Sequence, residues 1–240
     1  MITYVIPTLW GDDNIFETFN RFSEIEDLNA RMIVINNTDR VVGHTDSRIE
    51  FVNLGYNSYV NPAWNLGVHK ASTEYVCLLN DDILLDIKSL HQFISEQKPE
   101  FVGFSELNRN PTQSSMQLVR HADRNKRPFG FGQFMLFKKN NWTKIPDDLK
   151  IFHGDDVIYF YHTLILGIEL HKLDGFKIEG NQSVTARDWW ESDIAKNDTL
   201  GYFAWISQNG METTVHDSFK SAWKKEDIEY KYKIEKEINT

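Results

Sequence analysis

Short apolar runs alternate with amphipathic segments along the first hundred residues. Apolar runs bounded by turn residues are typical of buried strands, and apolar residues three or four positions apart are typical of helices. We predict strands at 2–6, 31–35, 49–52, 74–79 and 100–104. Helices are predicted between them: one capped by Asp12 or Asp13 and apolar up to Ile25, one from Pro62 to about Ala71, and one over 86–97.

This alternation of strands and helices predicts an α/β fold with a mostly parallel sheet. The second half of the chain is less regular. There we predict strands at 131–137, 168–173 and 182–186, and helices at 155–166, 200–208 and 220–237. No Pro- or Gly-rich linker separates the two halves, so we expect a single compact domain.

Composition and charge limit the classes of function. The 240 residues carry a net charge of −9 and are 41% hydrophobic, which excludes a disordered chain and a generally basic nucleic-acid-binding surface. Cys77, the single cysteine, lies in an apolar run and is expected to be a buried residue in a reducing compartment. The first residues lack the features of a signal peptide, and no apolar stretch is long enough for a bilayer. We therefore expect a cytoplasmic protein without a membrane segment.

Polar clusters follow three of the predicted strands, at their carboxyl ends. They are Pro7-Thr8, residues 36–39 and the turn Asn80-Asp81-Asp82. In open α/β sheets ligands bind at this edge. Adjacent carboxylates repel each other, and a Mg²⁺ or Mn²⁺ ion shared with a diphosphate would relieve that repulsion. The alternative is that the two acids only cap a helix or close a turn.

The order and spacing of these clusters resemble the GT-A glycosyltransferases of the large family 2 type. The resemblance covers residues 2–85: a first strand ending in Val5-Ile6-Pro7-Thr8, a strand and turn at 33–38, an Asn-rich stretch with Asn-Leu-Gly at 57–71, and the acidic turn at 80–82. It resumes at 132–137 and at His153-Gly154-Asp155-Asp156. Asn36 and Asn80 depart from the family, since an Asp is usual at both positions.

The resemblance implies a GT-A fold, in which helices flank a central, mostly parallel sheet. Residues 1–105 would bind the nucleotide sugar, and residues 106–240 would form the less regular acceptor-binding and catalytic half. The nucleoside pocket would be lined by Pro7, Thr8, Asn37 and Asp39. Asn65 would reach the base or the phosphates, and Asn80 and Asp81 the ribose or the sugar. Asp82 would hold Mn²⁺ or Mg²⁺, and His216 is the preferred histidine to complete that site.

The pair Asp155-Asp156 is the second candidate for chemistry. Acids in the first turn of a helix often serve only as caps, which is the structural alternative here. The resemblance implies that the pair matches the family's Glu-Asp and supplies the general base, which takes the acceptor hydroxyl's proton in an inverting transfer. Asp156 would be the base and Asp155 would take the Glu position, although the loose spacing leaves an exchange of roles open.

Two further groups are candidates for acceptor binding. Arg120, Arg124, Lys126 and Arg127 outnumber Asp123 and could hold a diphosphate or an anionic acceptor, or form a solvated loop. Trp189 and Trp190 could form a wall for a sugar or a base, or pack in the core.

The resemblance thus implies a hexosyl- or pentosyltransferase that moves a sugar from a nucleoside-diphosphate donor to an acceptor hydroxyl. UDP is the preferred candidate for the nucleotide of the donor. A hydroxymethylated base of phage-type DNA is one hypothesis for the acceptor, and glycans and small molecules are the others. A sugar nucleotidyltransferase would need a basic, Gly-rich loop after the first strand, but residues 8–13 contain one Gly and no Lys or Arg. A non-catalytic nucleotide-sugar-binding module would be expected to lose one of the two acidic sites.

Overall fold

A computed structural model describes residues 1–10, 13–108, 110–112, 114–180 and 192–211. Its strands are β1 (Ile2–Thr8), β2 (Arg31–Asn36), β3 (Ile49–Asn53), β4 (Tyr75–Leu79), β5 (Ile83–Leu84), β6 (Phe101–Gly103), β7 (Gln117–Arg120), β8 (Phe134–Lys138), β9 (His171–Asp174) and β10 (Glu179–Gly180). Its α-helices are α1 (Asn14–Ser23), α2 (Val60–Lys70), α3 (Ile87–Gln97), α4 (Gly154–Phe160) and α5 (Asp193–Gln208). Three 3-10 turns (Glu106–Asn108, Phe131–Gln133 and Lys139–Asn141) and a π-helical turn (Tyr161–Ile165) complete the regular structure of these residues.

Eight strands form one sheet in the order β3-β2-β1-β4-β8-β6-β9-β7. The first four in this order are mutually parallel. β8 is antiparallel to both of its neighbours, β9 is parallel to β6, and β7 is antiparallel to β9. The predicted α/β fold with a mostly parallel sheet is therefore confirmed. β5 and β10 form a separate antiparallel pair.

The parallel part of the sheet is the best-covered part of the molecule. Every residue of β1 and of β4 is buried, which is typical of strands that are covered on both faces and read as continuous apolar runs. α2 passes close over β1 at Gly67, where a Cβ atom would overlap the side chain of Val5. The glycine of the Asn-Leu-Gly stretch thus allows the helix to approach the strand.

Some boundaries differ from the predicted ones for local reasons. The sequence analysis predicts no strand at β7, because this edge strand is exposed or half-buried and has no continuous apolar run. The strand predicted at 131–137 begins only at Phe134, after a 3-10 turn, and the helix predicted at 155–166 becomes π-helical after Phe160. The predicted strand at 182–186 and helix at 220–237 lie outside the described residues.

The chain divides into two compact units, Met1–Tyr202 and Phe203–Thr240. The first unit contains both sheets. Of the second, residues 203–211 are described, and they comprise the end of α5 and the turn that follows it. In the part of the chain that the structure covers, no helix combines the length and the apolar character needed to cross a bilayer.

Candidate active site

The carboxyl ends of β1, β2 and β3 are joined by hydrogen bonds between loop residues. The backbone N–H of Asn37 donates to the carbonyl of Thr8 at 3.0 Å, and the strand register places Thr8 beside Asn36 and Asn36 beside Asn53. The parallel strands therefore bring the first two polar clusters to one edge of the sheet, as predicted.

Asn36 is the centre of this loop network. Its Oδ1 accepts hydrogen bonds from Trp10 Nε1 and Thr38 Oγ1, both at 2.8 Å, and its Nδ2 donates to Asn53 Oδ1 at 2.7 Å. A carboxylate cannot donate, so only the amide fits both sides of this network. The departure from the usual Asp at this position therefore has a structural reason.

The predicted nucleoside-pocket residues differ in exposure. Pro7, Thr8 and Asn37 are buried, and Asp39 is exposed. Asn37 Oδ1 accepts hydrogen bonds from the backbone N–H of Ser58 at 3.2 Å and from its hydroxyl at 2.7 Å, which fixes the loop before α2. The three buried residues thus form the base of the sheet edge, and Asp39 lies at its surface.

The sequence analysis missed an aromatic cluster at the same edge. Trp10 stacks on Phe16 and Phe51, with ring centroids 5.6 and 6.4 Å apart, and the guanidinium carbon of Arg40 lies 5.5 Å from the Trp10 ring centroid. The signal was available in the sequence, because Trp10 follows β1 directly and Phe16 is one of the helical apolar positions of α1.

Asn65 has a structural role in this state. Its Nδ2 donates to the carbonyl of Ile145 at 2.9 Å, and its Oδ1 accepts from the N–H of the same residue at 3.0 Å. The Nδ2 and Oδ1 atoms of this one side chain thus hold the segment after β8 against α2. The predicted contact of Asn65 with the base or the phosphates stays a prediction.

The acidic turn follows β4 directly. The backbone N–H of Asn80 donates to the carbonyl of Gln133 at 3.1 Å, and Asn80, Asp81 and Asp82 are all half-buried. The described residues contain no cluster of three or more His, Cys, Asp or Glu side chains that could enclose a metal. The oxygen donors of this turn are nevertheless the type that Mg²⁺ and Mn²⁺ prefer, and a diphosphate would supply further ones. His216 lies outside the described residues.

The second acidic site opens α4 and is held by charged partners. Arg127 Nη1 lies 2.9 Å from Asp155 Oδ2, and Arg127 Nε donates to Asp156 Oδ1 at 2.6 Å. His153 Nδ1 lies 3.0 Å from Asp156 Oδ2, so both oxygens of Asp156 are engaged.

The two carboxyl groups of this site differ in their proton affinity. Burial raises the pKa of Asp155, and the nearby charge of Arg127 only partly offsets this. Burial acts in the same direction on Asp156, but Arg127 and His153 outweigh it, and they hold the pKa of Asp156 well below its usual range. The same interactions raise the pKa of the Arg127 guanidinium against the effect of its own burial.

Residues of α5 and α2 support the segment that leads into α4. Asp198 is fully buried, and its carboxylate accepts three hydrogen bonds of 2.7–2.8 Å from the backbone N–H groups of residues 150–152. Asn61 Nδ2 donates to the carbonyl of Phe152 at 3.0 Å. The His153 ring stacks on Tyr202, with centroids 4.6 Å apart. The sequence analysis missed these supports, because their partners are distant in the chain.

One short 3-10 turn, Phe131–Gln133, links the two acidic sites. Gln133 accepts the hydrogen bond from the backbone of Asn80, and the Cα of Gly132 faces Asp155 so closely that a Cβ there would lie 2.5 Å from Asp155 Oδ2. The turn thus contacts both the acidic turn and the acidic pair. Two acidic sites that are far apart in sequence therefore share one three-residue element as a neighbour.

The basic segment divides into two parts. Arg127 binds the acidic pair, whereas Arg120 and Arg124 both form ion pairs with Glu169. The hydroxyl of Tyr159 in α4 donates to the carbonyls of Asp123 and Lys126, at 2.7 and 3.1 Å, so the segment lies against the helix that begins with the acidic pair. Trp189 and Trp190 lie outside the described residues.

The fold is shared with proteins of known structure. No family model matches the sequence, and no curated protein sequence matches it either. Residues 1–349 of S. aureus TarS in complex with UDP-GlcNAc align with 91% of this chain and 71% of their own, with a TM-score of 0.59 and 11% identity. The mannosyltransferase PcManGT from Pyrobaculum calidifontis, in complex with GDP-Man and Mn²⁺, aligns over 91% of this chain and 69% of its own, with a TM-score of 0.59 and 14% identity. This chain has the GT-A fold.

Within the GT-A fold, the candidate site occupies the edge where parallel strands end, as expected for an open α/β sheet. The site consists of the loops after β1 and β2, the acidic turn after β4, the 3-10 turn before β8 and the start of α4.

Proposed function

We propose that the protein is a nucleotide-sugar-dependent glycosyltransferase that inverts the configuration at the transferred sugar. The observation that carries this proposal is the arrangement around Phe131–Gln133, where an acidic turn and an acidic pair both contact one short turn in a GT-A fold. Transfer requires one site that binds the diphosphate and a second site that removes the acceptor's proton. The two acidic sites match these two requirements.

The donor site is the carboxyl edge of β1, β2 and β4. Pro7, Thr8 and Asn37 would contact the nucleoside, and Asn80 and Asp81 the ribose or the sugar. We take UDP as the first donor to test, since the solved structures with this fold include TarS in complex with UDP and with UDP-GlcNAc. A hexosyl or a pentosyl donor is compatible with the site.

A divalent cation, Mn²⁺ or Mg²⁺, would be held by Asp82. Bound there, it would neutralise charge on the diphosphate leaving group. PcManGT, whose structure contains Mn²⁺ with GDP-Man, has the same fold and supports this part of the proposal.

The acidic pair would supply the general base. We propose Asp156 for this role because it is the carboxylate that Arg127 and His153 orient from two sides. Its lowered pKa keeps it ionised throughout the neutral range, and the same lowering makes it a weaker proton acceptor, so the role rests on the orientation of the carboxylate and not on its basicity. Asp155 would support it, held between Gly132 and Arg127.

We propose an uncharged acceptor, a glycan or a small molecule, in preference to DNA. The observation that favours it is that carboxylates accompany the basic segment: Glu169 pairs with Arg120 and Arg124, and the acidic pair takes Arg127. The positive charges are therefore largely neutralised, and a polyanion would find little net attraction there.

The test compares binding with turnover. UDP with Mn²⁺ should raise the melting temperature of the wild type, and a screen of nucleotide sugars with glycan and small-molecule acceptors should show donor consumption. Asp156→Asn should keep the UDP-induced shift and lose about a hundredfold to ten-thousandfold of the transfer rate, because an amide cannot accept the proton. Asp155→Asn serves as the matched control and should have the smaller effect.

Three outcomes would change this proposal. Binding of UDP without turnover of any donor would identify a non-catalytic nucleotide-sugar-binding module. A larger effect of Asp155→Asn than of Asp156→Asn would show that the two carboxylates exchange roles. Full activity of both variants would make the pair a helix cap.

A further inference from the structure

Four titratable side chains form a compact cluster at the start of α4. Arg127 comes from the segment between β7 and β8, His153 directly precedes the helix, and Asp155 and Asp156 lie in its first turn. The contacts of Arg127 and His153 with the two carboxylates are between 2.6 and 3.0 Å. The two carboxylates alone would repel each other, so their cationic partners determine their common geometry.

Arg127 contacts each carboxylate through a different nitrogen. Nη1 lies 2.9 Å from Asp155 Oδ2, and Nε lies 2.6 Å from Asp156 Oδ1. The planar guanidinium fixes both directions at once, whereas a lysine offers a single ammonium group. The arginine therefore holds the two carboxylates at a defined separation and orientation.

His153 is the second partner of Asp156. Its Nδ1 faces Asp156 Oδ2 and its Nε2 lies 3.2 Å from Thr199 Oγ1, whose only hydroxyl hydrogen goes to the carbonyl of Ala195. His153 is thereby held between Asp156 and Thr199. Two tyrosines of the described residues also lie beside the cluster: Tyr202 stacks on the His153 ring, and Tyr159 of α4 is close enough to Arg127 for the guanidinium charge to act on its pKa.

We propose that Arg127 is a positioning residue, which holds Asp155 and Asp156 together in one charged arrangement and orients Asp156 toward the acceptor hydroxyl. This rests on the proposed function, and it gives the basic segment a different role from anion binding. Arg127 acts through the two carboxylates and needs no contact with substrate.

Loss of the guanidinium charge should shift the apparent pKa of the acidic pair in a known direction. In Arg127→Gln the repulsion between the carboxylates is no longer screened, so the pair binds a proton at higher pH than in the wild type. The base is then protonated at low pH and recovers as the pH rises. The acidic limb of the rate profile should move upward by about one to three pH units, the size of effect that an adjacent opposite charge exerts on a carboxyl group.

The experiment uses Arg127→Gln, Arg127→Lys and a control, Arg21→Gln, which removes an arginine paired with Glu17 on the surface of α1. The first readout is the carboxyl titration of the acidic pair by ¹³C NMR in Asp-labelled full-length protein. The second is the pH profile of kcat, measured together with UDP binding. We expect Arg127→Gln to raise the apparent pKa of the pair and shift the acidic limb, with UDP binding retained, and Arg127→Lys to restore most of the titration and part of the rate.

The possible results separate this inference from the proposed function. An unshifted titration in Arg127→Gln, or a wild-type rate at every pH, would overturn the positioning role. A shifted titration in a protein that consumes no nucleotide sugar would support the electrostatic role and contradict the proposed function. Should Arg127→Gln not fold, Arg127→Lys decides: a wild-type rate despite loss of the forked contact would contradict the proposal.

Discussion

The side-chain amide of Asn36 can accept and donate hydrogen bonds at the same time, which a carboxylate could not. It accepts from Trp10 and Thr38 and donates to Asn53, so that it links the loops after three parallel strands. Its neighbour Asn37 accepts two hydrogen bonds from Ser58. These bonds order the proposed nucleotide-binding edge before any ligand binds, and such preorganisation lowers the entropic cost of binding.

The acidic residues could be predicted from the sequence, but their partners could not. Asp81-Asp82 and Asp155-Asp156 are adjacent acids at the ends of predicted elements, a local pattern. Asp198 binds backbone groups 46 to 48 positions away, and Arg127 reaches carboxylates 28 and 29 positions away. Such contacts depend on how elements pack, which the spacing within one element does not encode.

The metal-binding role proposed for Asp82 gives a prediction at this scale. Asp82→Asn keeps the shape of the side chain and removes the negative charge, so Mn²⁺ should no longer increase the stabilisation by UDP. Loss of a charged ligand should cost several kcal/mol of transition-state stabilisation, about a thousandfold in rate or more. Thermal shift with UDP, with and without Mn²⁺ and after EDTA, measures the first effect, and donor consumption measures the second.

Asp86→Asn is the matched control for this prediction. Asp86 caps α3, accepting from the backbone N–H of Ser89 at 3.0 Å, and Asn is an equally good cap. Its metal response should equal that of the wild type. An EDTA-sensitive, full-rate Asp82→Asn enzyme would place the cation on other residues.

At the scale of elements, the sequence pattern predicts the parallel half of the sheet better than the rest. β1, β2 and β4 are buried apolar runs with turn residues at their ends, and this is a strong local signal. β7 is an edge strand of mixed exposure, and the π-helical turn after α4 interrupts an apolar run that favours a continuous helix. Elements stabilised by tertiary contacts rather than by their own pattern escape sequence-based prediction.

The 3-10 turn Phe131–Gln133 gives a prediction about an element. In Gly132→Ala the new methyl group would lie 2.5 Å from Asp155 Oδ2, so the carboxylate must move away from its place beside Arg127. A displacement of about 1 Å near reacting groups can reduce the rate about a hundredfold. We expect a loss of this size in transfer, with UDP binding and the melting temperature close to those of the wild type.

Gly43→Ala is the control, because a Cβ at Gly43 would have no neighbour within 4 Å. It should behave as the wild type in both assays. Equal activity of Gly132→Ala and Gly43→Ala would mean that Asp155 can move without consequence, and would remove the turn from the catalytic arrangement.

At the scale of the whole molecule, the distribution of charge favours an uncharged acceptor. The protein carries −9 overall, and its one basic segment is matched by Glu169, Asp155 and Asp156. A sequence count shows only the cations, because these three carboxylates lie elsewhere in the chain and reach the segment by folding. Long-range attraction of a polyanion to such a surface is weak.

The last prediction therefore concerns salt. If Lys and Arg side chains of the enzyme neutralised phosphates of the acceptor, the logarithm of affinity would fall with the logarithm of salt concentration by close to one unit per phosphate. We expect transfer to depend little on salt between about 50 and 200 mM, the range over which a protein with several phosphate contacts loses orders of magnitude in affinity.

The measurement compares glycan, small-molecule and hydroxymethylated duplex DNA acceptors in the wild type and in a triple Arg120→Gln, Arg124→Gln, Lys126→Gln variant. The slope should be small and the same in both proteins. Efficient transfer to the DNA, with a steep slope that the triple variant flattens, would show instead that phosphates displace Glu169 from the arginines and would restore DNA as the acceptor.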